Sequence, residues 1–371
     1  MSVTPTQRVL ITGINGYIGV HTARAFLSGG WHVRGTVRPS ADRDAVLRAL
    51  DPYRQIKQPS GEAAGARELE IYAVPDIAAD GAFDDAIRDV HAVIHCASPV
   101  STTATEPEPM MRAAVRGTTS LLASARTEAR RRRGKPNPFR TVVFLSSFSA
   151  IVSPSRPAGH VFTEADWNDD AEEEVRRLGE NASGYVVYQA SKAAAERAFW
   201  RVGEEVETEA EVEGGFDMVA LCPALVLGPP LFLPNPIDKL SIRALDIYNL
   251  YHGGPIPAFS PNRSAFVDVR DVARLTFKAV EKSATSVKRN ARERYMVVGE
   301  SGVSPQRMVD VLRREFPERR DVIVEGNPGE TYPEMTWRFD ARKAGALMRE
   351  PWVGFDRSVV ETAEVFAGKN V

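Results

Sequence analysis

Between an apolar run at residues 8–12 and a helical pattern that opens at Tyr17, the chain reads Thr12-Gly13-Ile14-Asn15-Gly16-Tyr17-Ile18-Gly19. Glycines at such a junction let the backbone turn tightly and approach a phosphate. The helix that begins here aims unpaired N–H groups and its positive pole at the anion. The spacing is G-x-x-G-x-x-G rather than the usual G-x-G-x-x-G. What makes it informative is its place between a strand and a helix. It predicts an α/β fold that binds a dinucleotide.

The rest of the first half agrees with that reading. Residues 8–12, 32–37, 69–74, 92–96 and 141–146 read as strands, mostly as near-continuous apolar runs. Such runs are expected of parallel strands covered on both faces. Helical patterns near 17–27, 42–50 and 110–132 alternate with them, and a helix at 185–202 and a strand at 217–222 continue the rhythm. The alternation predicts a doubly wound parallel sheet.

After Pro223 the texture changes. Pro223, Pro229, Pro230, Pro234, Pro236, Pro255, Pro257 and Pro261 crowd the chain too densely for regular sheet. Asp271 is the expected cap of one later helix and Ser304-Pro305 of another, which carries Met308, Leu312 and Phe316 on one face. The expected division is a nucleotide-binding domain of residues 1–222, rejoined by 264–298. A smaller substrate-binding lobe of 223–263 and 299–371 is expected over the open edge of the sheet.

Composition narrows the function classes. The 371 residues are 43% hydrophobic and 26% charged, with a net charge of -2, which gives no electrostatic reason for a nucleic-acid or membrane surface. Two cysteines make no disulfide framework and fit a reducing compartment. No apolar run is long enough to span a bilayer, and residues 1–8 lack the layout of a signal peptide. A cytoplasmic protein, monomer or homodimer, is the expectation. The basic run at 130–133 reads as a helix end suited to the dipole's negative pole. The acidic stretches 164–180 and 203–215 read as solvated loops.

Two further signals carry chemistry. The second strand ends at Arg38, where an NAD-preferring enzyme usually places an acid for the ribose 2′-hydroxyl, and Arg43 follows. Guanidinium groups there suit a 2′-phosphate and predict NADP(H). Tyr188 and Lys192 have the Y-x-x-x-K spacing within a helix, so ammonium and phenol share a face. A cation about 4 Å away lowers the tyrosine pKa by an expected amount on the order of three pH units, toward the range useful for acid–base work. Ser146 and Ser147, ending the fifth strand, lie where open α/β sheets bind ligands. His95, Cys96 and Cys222 read as strand residues of the core, and no spacing suggests a metal site.

With Thr12–Gly19, Ser147, Tyr188 and Lys192 in this order, the chain resembles the extended short-chain dehydrogenase/reductase family. Thr36-Val37-Arg38, His95-Cys96-Ala97-Ser98-Pro99, Thr163-Glu164-Ala165-Asp166-Trp167, Phe266-Val267-Asp268-Val269-Arg270-Asp271 and Phe339-Asp340 narrow it to the dihydroflavonol-reductase-like branch, which includes fungal ketone and aldehyde reductases. The resemblance implies that Gly13, Gly16 and Gly19 hold the pyrophosphate with Tyr17 and Ile18 alongside, and that Arg38 binds the 2′-phosphate. It places Asp76 and Ile77 at the adenine, Ala97 and Ser98 on the ribose side, and Pro223 and Val226 at the nicotinamide. Ser147 rather than Ser146 matches the catalytic serine, with Tyr188 as proton donor and Lys192 beside the ribose. Against this pattern, insertions near 52–65, 130–138 and 206–215 are expected in loops, and Ala113 replaces a more usual proline.

The expected activity is NADPH-dependent reduction of a ketone or aldehyde. Its pocket would come from 100–105, 148–152, Tyr185 and 225–259, mostly apolar, which favours a bulky hydrophobic or aromatic carbonyl. Alternatives on the same fold are a nucleotide-sugar epimerase or dehydratase, against which Arg38 argues, and a hydroxysteroid-type alcohol dehydrogenase. A non-catalytic dinucleotide-binding regulator is a third, against which the Ser/Tyr/Lys set argues.

Overall fold

The computed structural model describes residues 7–57, 63–98, 106–135, 137–209, 215–258, 265–286, 290–330 and 337–368. Seven strands build the central sheet: β1 Arg8–Thr12, β2 His32–Val37, β3 Leu69–Ala73, β4 Ala92–His95, β5 Thr141–Leu145, β6 Asp217–Pro223 and β7 Arg292–Val297. Their spatial order is β7-β6-β5-β4-β1-β2-β3, and the pairs from β3 to β6 are parallel. Every residue of β4 and β5 is buried, as covering on both faces requires. The expected doubly wound parallel sheet is the observed one.

Helices α1 Tyr17–Ser28, α2 Arg43–Leu50, α3 Pro107–Arg131, α4 Asp169–Leu178 and α5 Gly184–Glu209 connect these strands. Leu10, Val93, Val142 and Ala220 of the sheet pack with Leu121, Leu122 and Ala125 of α3 and Ala195 and Phe199 of α5. Val9 and Ile11 are equally buried, and the period of two sends them to the opposite face. Phe26 of α1 meets Phe277 edge to face at 5.1 Å. From β1 the chain winds outward to β2 and β3, then returns to lay β4 on the other flank of β1. That reversal leaves a crevice beyond the ends of β1 and β4, where ligands bind in sheets of this kind.

The chain divides into two compact units. The first holds Met1–Ser155, Glu164–Cys222 and Ala273–Tyr295, and the second Arg156–Thr163, Pro223–Val272 and Met296–Val371. The second contains a three-stranded sheet of Leu225–Leu227, Ala265–Asp268 and Glu300–Ser301. Helices α6 Ile242–Tyr251, α8 Pro305–Glu315 and α10 Phe355–Phe366 join it around Ile247, Phe266, Leu312 and Val359, while α7 is Val269–Thr285 and α9 Arg342–Met348. Ser304 caps α8 by accepting the Arg307 N–H, with Pro305 at the first position and Met308, Leu312 and Phe316 buried.

Three local expectations are corrected. The acidic stretch around 169–178 is a helix, not a loop: Asn168 caps it, Asp169, Asp170 and Glu172 lie in its first turn, and Arg176 and Arg177 in its last. Charge placed to match the dipole makes a helix of a sequence whose composition reads as solvated coil. Two insertions also carry regular structure. Strand Gln55–Lys57 pairs antiparallel with Ala63–Ala66, and α5 continues to Glu209; 58–62 and 210–214 lie outside the described residues. Asp271 falls inside the first turn of α7 rather than capping it. The strand Ala265–Asp268 runs straight into this helix, so Asp268 accepts the Arg270 N–H and Asp271 is left to accept that of Val353. The cationic end of α3 behaves as expected, with Arg130 and Arg131 in its last turn.

Candidate active site

Gly13 has φ +66°, and a Cβ there would lie 3.0 Å from the Ala97 Cα. A Cβ on Gly19 would stand 2.3 Å from the Gly13 carbonyl oxygen, so only glycine lets α1 start this close to the turn. The Gly16 N–H closes the turn onto Gly13 O at 2.9 Å. As the residue preceding α1, Gly16 brings no capping side chain, and the first turn of α1 contains no acid. The amides of Tyr17, Ile18 and Gly19 are therefore presented to an anion without a competing carboxylate.

Thr12 ties this turn to the end of β4. Its hydroxyl lies 2.8 Å from His95 Nδ1 and accepts the Ala97 N–H at 3.1 Å. Burial, aided by the nearby Lys192 charge, lowers the His95 pKa to about 3, so the ring is neutral and shares its Nδ1 hydrogen bond with the threonine hydroxyl. Ala97 is thereby held next to Gly13. Arg38 and Arg43 are exposed, and their guanidinium groups have no side-chain partner among the described residues. Asp76 makes a tight turn by accepting the Ala78 N–H, and Ile77 packs beneath it near Gly117 of α3.

The ends of β1, β4 and β5 are in register, Thr12 beside His95 and His95 beside Phe144. Just past this line the two serines diverge. The Ser146 hydroxyl is committed to Glu196, 2.6 Å away in the core. Ser147 caps the short turn Phe148–Ala150 and accepts a hydrogen bond from the Tyr188 hydroxyl at 3.4 Å. Asn168 anchors that turn by donating to Ser149 O and receiving from Ala171, which couples it to the start of α4. Tyr188 packs against the cluster of Met110, Ala182 and Val187, as do Val175 and Leu178 of α4.

Lys192 departs from the expected arrangement. Its ammonium donates to Leu145 O at 3.0 Å and lies over the Phe144 ring. Burial lowers its pKa to about 8, against the attraction of Glu196. The Tyr188 pKa is raised, not lowered, because desolvation outweighs the Ser147 hydrogen bond and the ammonium is held by the β5 carbonyl. Cys96 lies just past β4, its thiol pushed up to about 12 by burial; Cys222 is in the core.

Of the residues singled out in the sequence, Pro223 and Val226 belong to the second unit, where Val226 pairs with Val267. Phe148 and 150–152 are buried, Tyr185 is exposed, and 99–105 and 259 lie outside the described residues. Sequence reasoning missed the parts played by Thr12, Asn168, Glu196 and Arg294. Only Glu196 had a legible signal, one helical turn beyond Lys192.

The profile of the NAD dependent epimerase/dehydratase family matches residues 9–297. The chain belongs to that family. Among its relatives, a ketoreductase of Aspergillus niger is 30% identical over 92% of both chains. The NADPH-dependent methylglyoxal reductase Gre2 of Saccharomyces cerevisiae is 25% identical over 96% of both. The crystal structure of the yeast methylglyoxal/isovaleraldehyde reductase Gre2 with NADPH covers 98% of this chain and all of its own, with a TM-score of 0.77 at 24% identity. That likeness is one of fold. Within the family fold, the crevice beyond β1, β4 and β5 is where this chain gathers its turn, its serine and its tyrosine.

Proposed function

We propose that this member of the family is an NADPH-dependent reductase of ketones or aldehydes. The observation that carries the reading is the Ser147–Tyr188 hydrogen bond, one helical turn from Lys192 and on the strand ends that also present the glycine turn. The glycine cradle fits a dinucleotide, and Arg38 and Arg43, without side-chain partners among the described residues, fit its 2′-phosphate. The names of the relatives, ketoreductase and NADPH-dependent reductase, support the same assignment.

Gly13, Gly16, Tyr17, Ile18 and Gly19 would hold the pyrophosphate and Arg38 the 2′-phosphate, with Arg43 beside it. Asp76 and Ile77 would bound the adenine, and Ala97 and Ser98 the ribose. The nicotinamide, when bound, supplies a hydride. The Ser147 hydroxyl orients the substrate carbonyl oxygen, and Tyr188 Oη gives that oxygen its proton. Lys192, one helical turn away, would favour the resulting tyrosinate by turning its ammonium from Leu145 O toward Tyr188. A bulky hydrophobic or aromatic carbonyl is the proposed substrate class.

NADPH and NADH consumption against aromatic ketones, α-keto esters, diketones and aldehydes tests the proposal. Oxidation of NADPH with little use of NADH is expected. Absence of turnover across the panel, with NADPH binding demonstrated separately, would overturn the reductase assignment in favour of a binding protein.

A further inference from the structure

We infer that Glu196, clamped by Arg294, is the positioning residue of this site, fixing the Ser146–Ser147 step and standing as the anion behind the Lys192 ammonium. The inference rests on the reductase reading for its functional meaning.

Glu196 is fully buried on α5, one turn beyond Lys192. The two side chains address neighbouring residues at the end of β5: Lys192 donates to Leu145 O, and Glu196 Oε2 accepts from Ser146 Oγ. Ser147 follows directly, so its position is set by a strand end held at two successive residues by α5. Glu196 is fully occupied. Oε1 accepts from Arg294 Nε at 2.6 Å and Trp200 Nε1 at 3.2 Å; Oε2 also accepts from Arg294 Nη2 at 3.2 Å and Cys222 Sγ at 3.5 Å.

Arg294 is itself locked. It donates to the carbonyls of Glu164 and Asp166 and lies 3.9 Å from the centre of the Trp167 ring, whose other cation is Arg197. A buried carboxylate without such a partner would take up a proton. Arg294 supplies the charge partner that a buried carboxylate requires.

The groups facing Lys192 are Leu145 O and the Phe144 ring from β5, His95 and Cys96 from the end of β4, Cys222 from β6, and Glu196 from its own helix. His95 is neutral and both thiols are held protonated by burial. Among the described residues facing Lys192, Glu196 is thus the anion that opposes loss of the lysine proton. A packing role alone would be satisfied by a neutral isostere; a charge role would not.

The test is the titration of Lys192 in the cofactor-free protein, followed by 13C NMR of labelled lysine side chains and assigned with Lys192→Met. The wild-type midpoint is expected near 8. Glu196→Gln should lower it by about one pH unit or more. Because Glu196→Gln leaves Arg294 buried without its anion, the paired variant Glu196→Gln/Arg294→Met is measured beside it; removal of both charges restores balance and preserves folding. A downward displacement is expected there too, smaller because the Arg294 charge that opposes protonation of Lys192 is removed with the anion, and it should also appear in the basic limb of the kcat/KM profile. A Lys192 midpoint unchanged in the folded paired variant would overturn the inference, whatever the activity. A displaced midpoint in a protein without carbonyl turnover would sustain the positioning role and defeat the reductase reading instead.

Discussion

At Tyr188 the hydroxyl is subject to opposing influences: burial disfavours its charged form, while its hydrogen bond with Ser147 at 3.4 Å acts the other way. Spacing alone predicted a lowered pKa, since Tyr188 and Lys192 must share a helix face. Spacing does not say where the ammonium points, and the Leu145 carbonyl claims it. Tyr188→Phe removes the proposed proton donor without removing packing area. It should cut kcat by about 10²- to 10⁴-fold while leaving the NADPH dissociation constant unchanged in a fluorescence titration. Retained turnover would end the role given to Tyr188. Arg38→Ala should weaken NADPH binding about 10- to 100-fold, the range for a charge-assisted hydrogen bond, with NADH binding unaltered. Equal loss for both cofactors would show that Arg38 does not read the 2′-phosphate.

Elements respond to glycine in opposite ways according to what stands beside it. In the turn ahead of α1, a Cβ on Gly19 would meet the Gly13 carbonyl oxygen at 2.3 Å, backbone that cannot swing aside. Gly19→Ala should displace the start of α1 and lower NADPH affinity at least about tenfold, the cost of misplacing an anion-binding helix end. At Gly345, inside α9, an added methyl would meet nothing within 4 Å. Gly345→Ala should raise stability by roughly 0.5–1 kcal/mol in urea unfolding, because alanine loses less backbone entropy. The long apolar elements were legible because a period of 2 or 3.6 is local. Helix α4 was not, because only 3 of its 10 residues, Ala171, Val175 and Leu178, are apolar. Its start resides in Asn168 and the order of its charges, and its stop in Gly179 at φ +55°, rather than in hydrophobic rhythm.

Two buried histidines, His91 just before β4 and His95 at its end, bear on the stability of the whole molecule in acid. Burial lowers His95 from 6.5 to about 3 and His91 from 6.5 to about 4, the latter also through Arg132. The unfolded chain takes up protons on both as pH falls below about 6.5, whereas the folded chain refuses them until about pH 3 to 4. Stability should therefore be complete above about pH 6.5 and decline steadily on acidification towards those values. Urea unfolding at pH 7.5, 6 and 5 checks this, and His91→Gln should flatten the decline; an unchanged slope would remove His91 from the account. What the sequence determined by itself were the features whose partners are near in the chain: the alternation that builds the doubly wound sheet, the glycine turn, and the i, i+4 spacing of Tyr188 and Lys192. Tertiary structure alone decided which serine is committed to the core, which group holds the Lys192 ammonium, and which arginine closes on Glu196. Those outcomes join residues as much as 98 positions apart, and they turn on which polar groups lose water together. No local spacing encodes that.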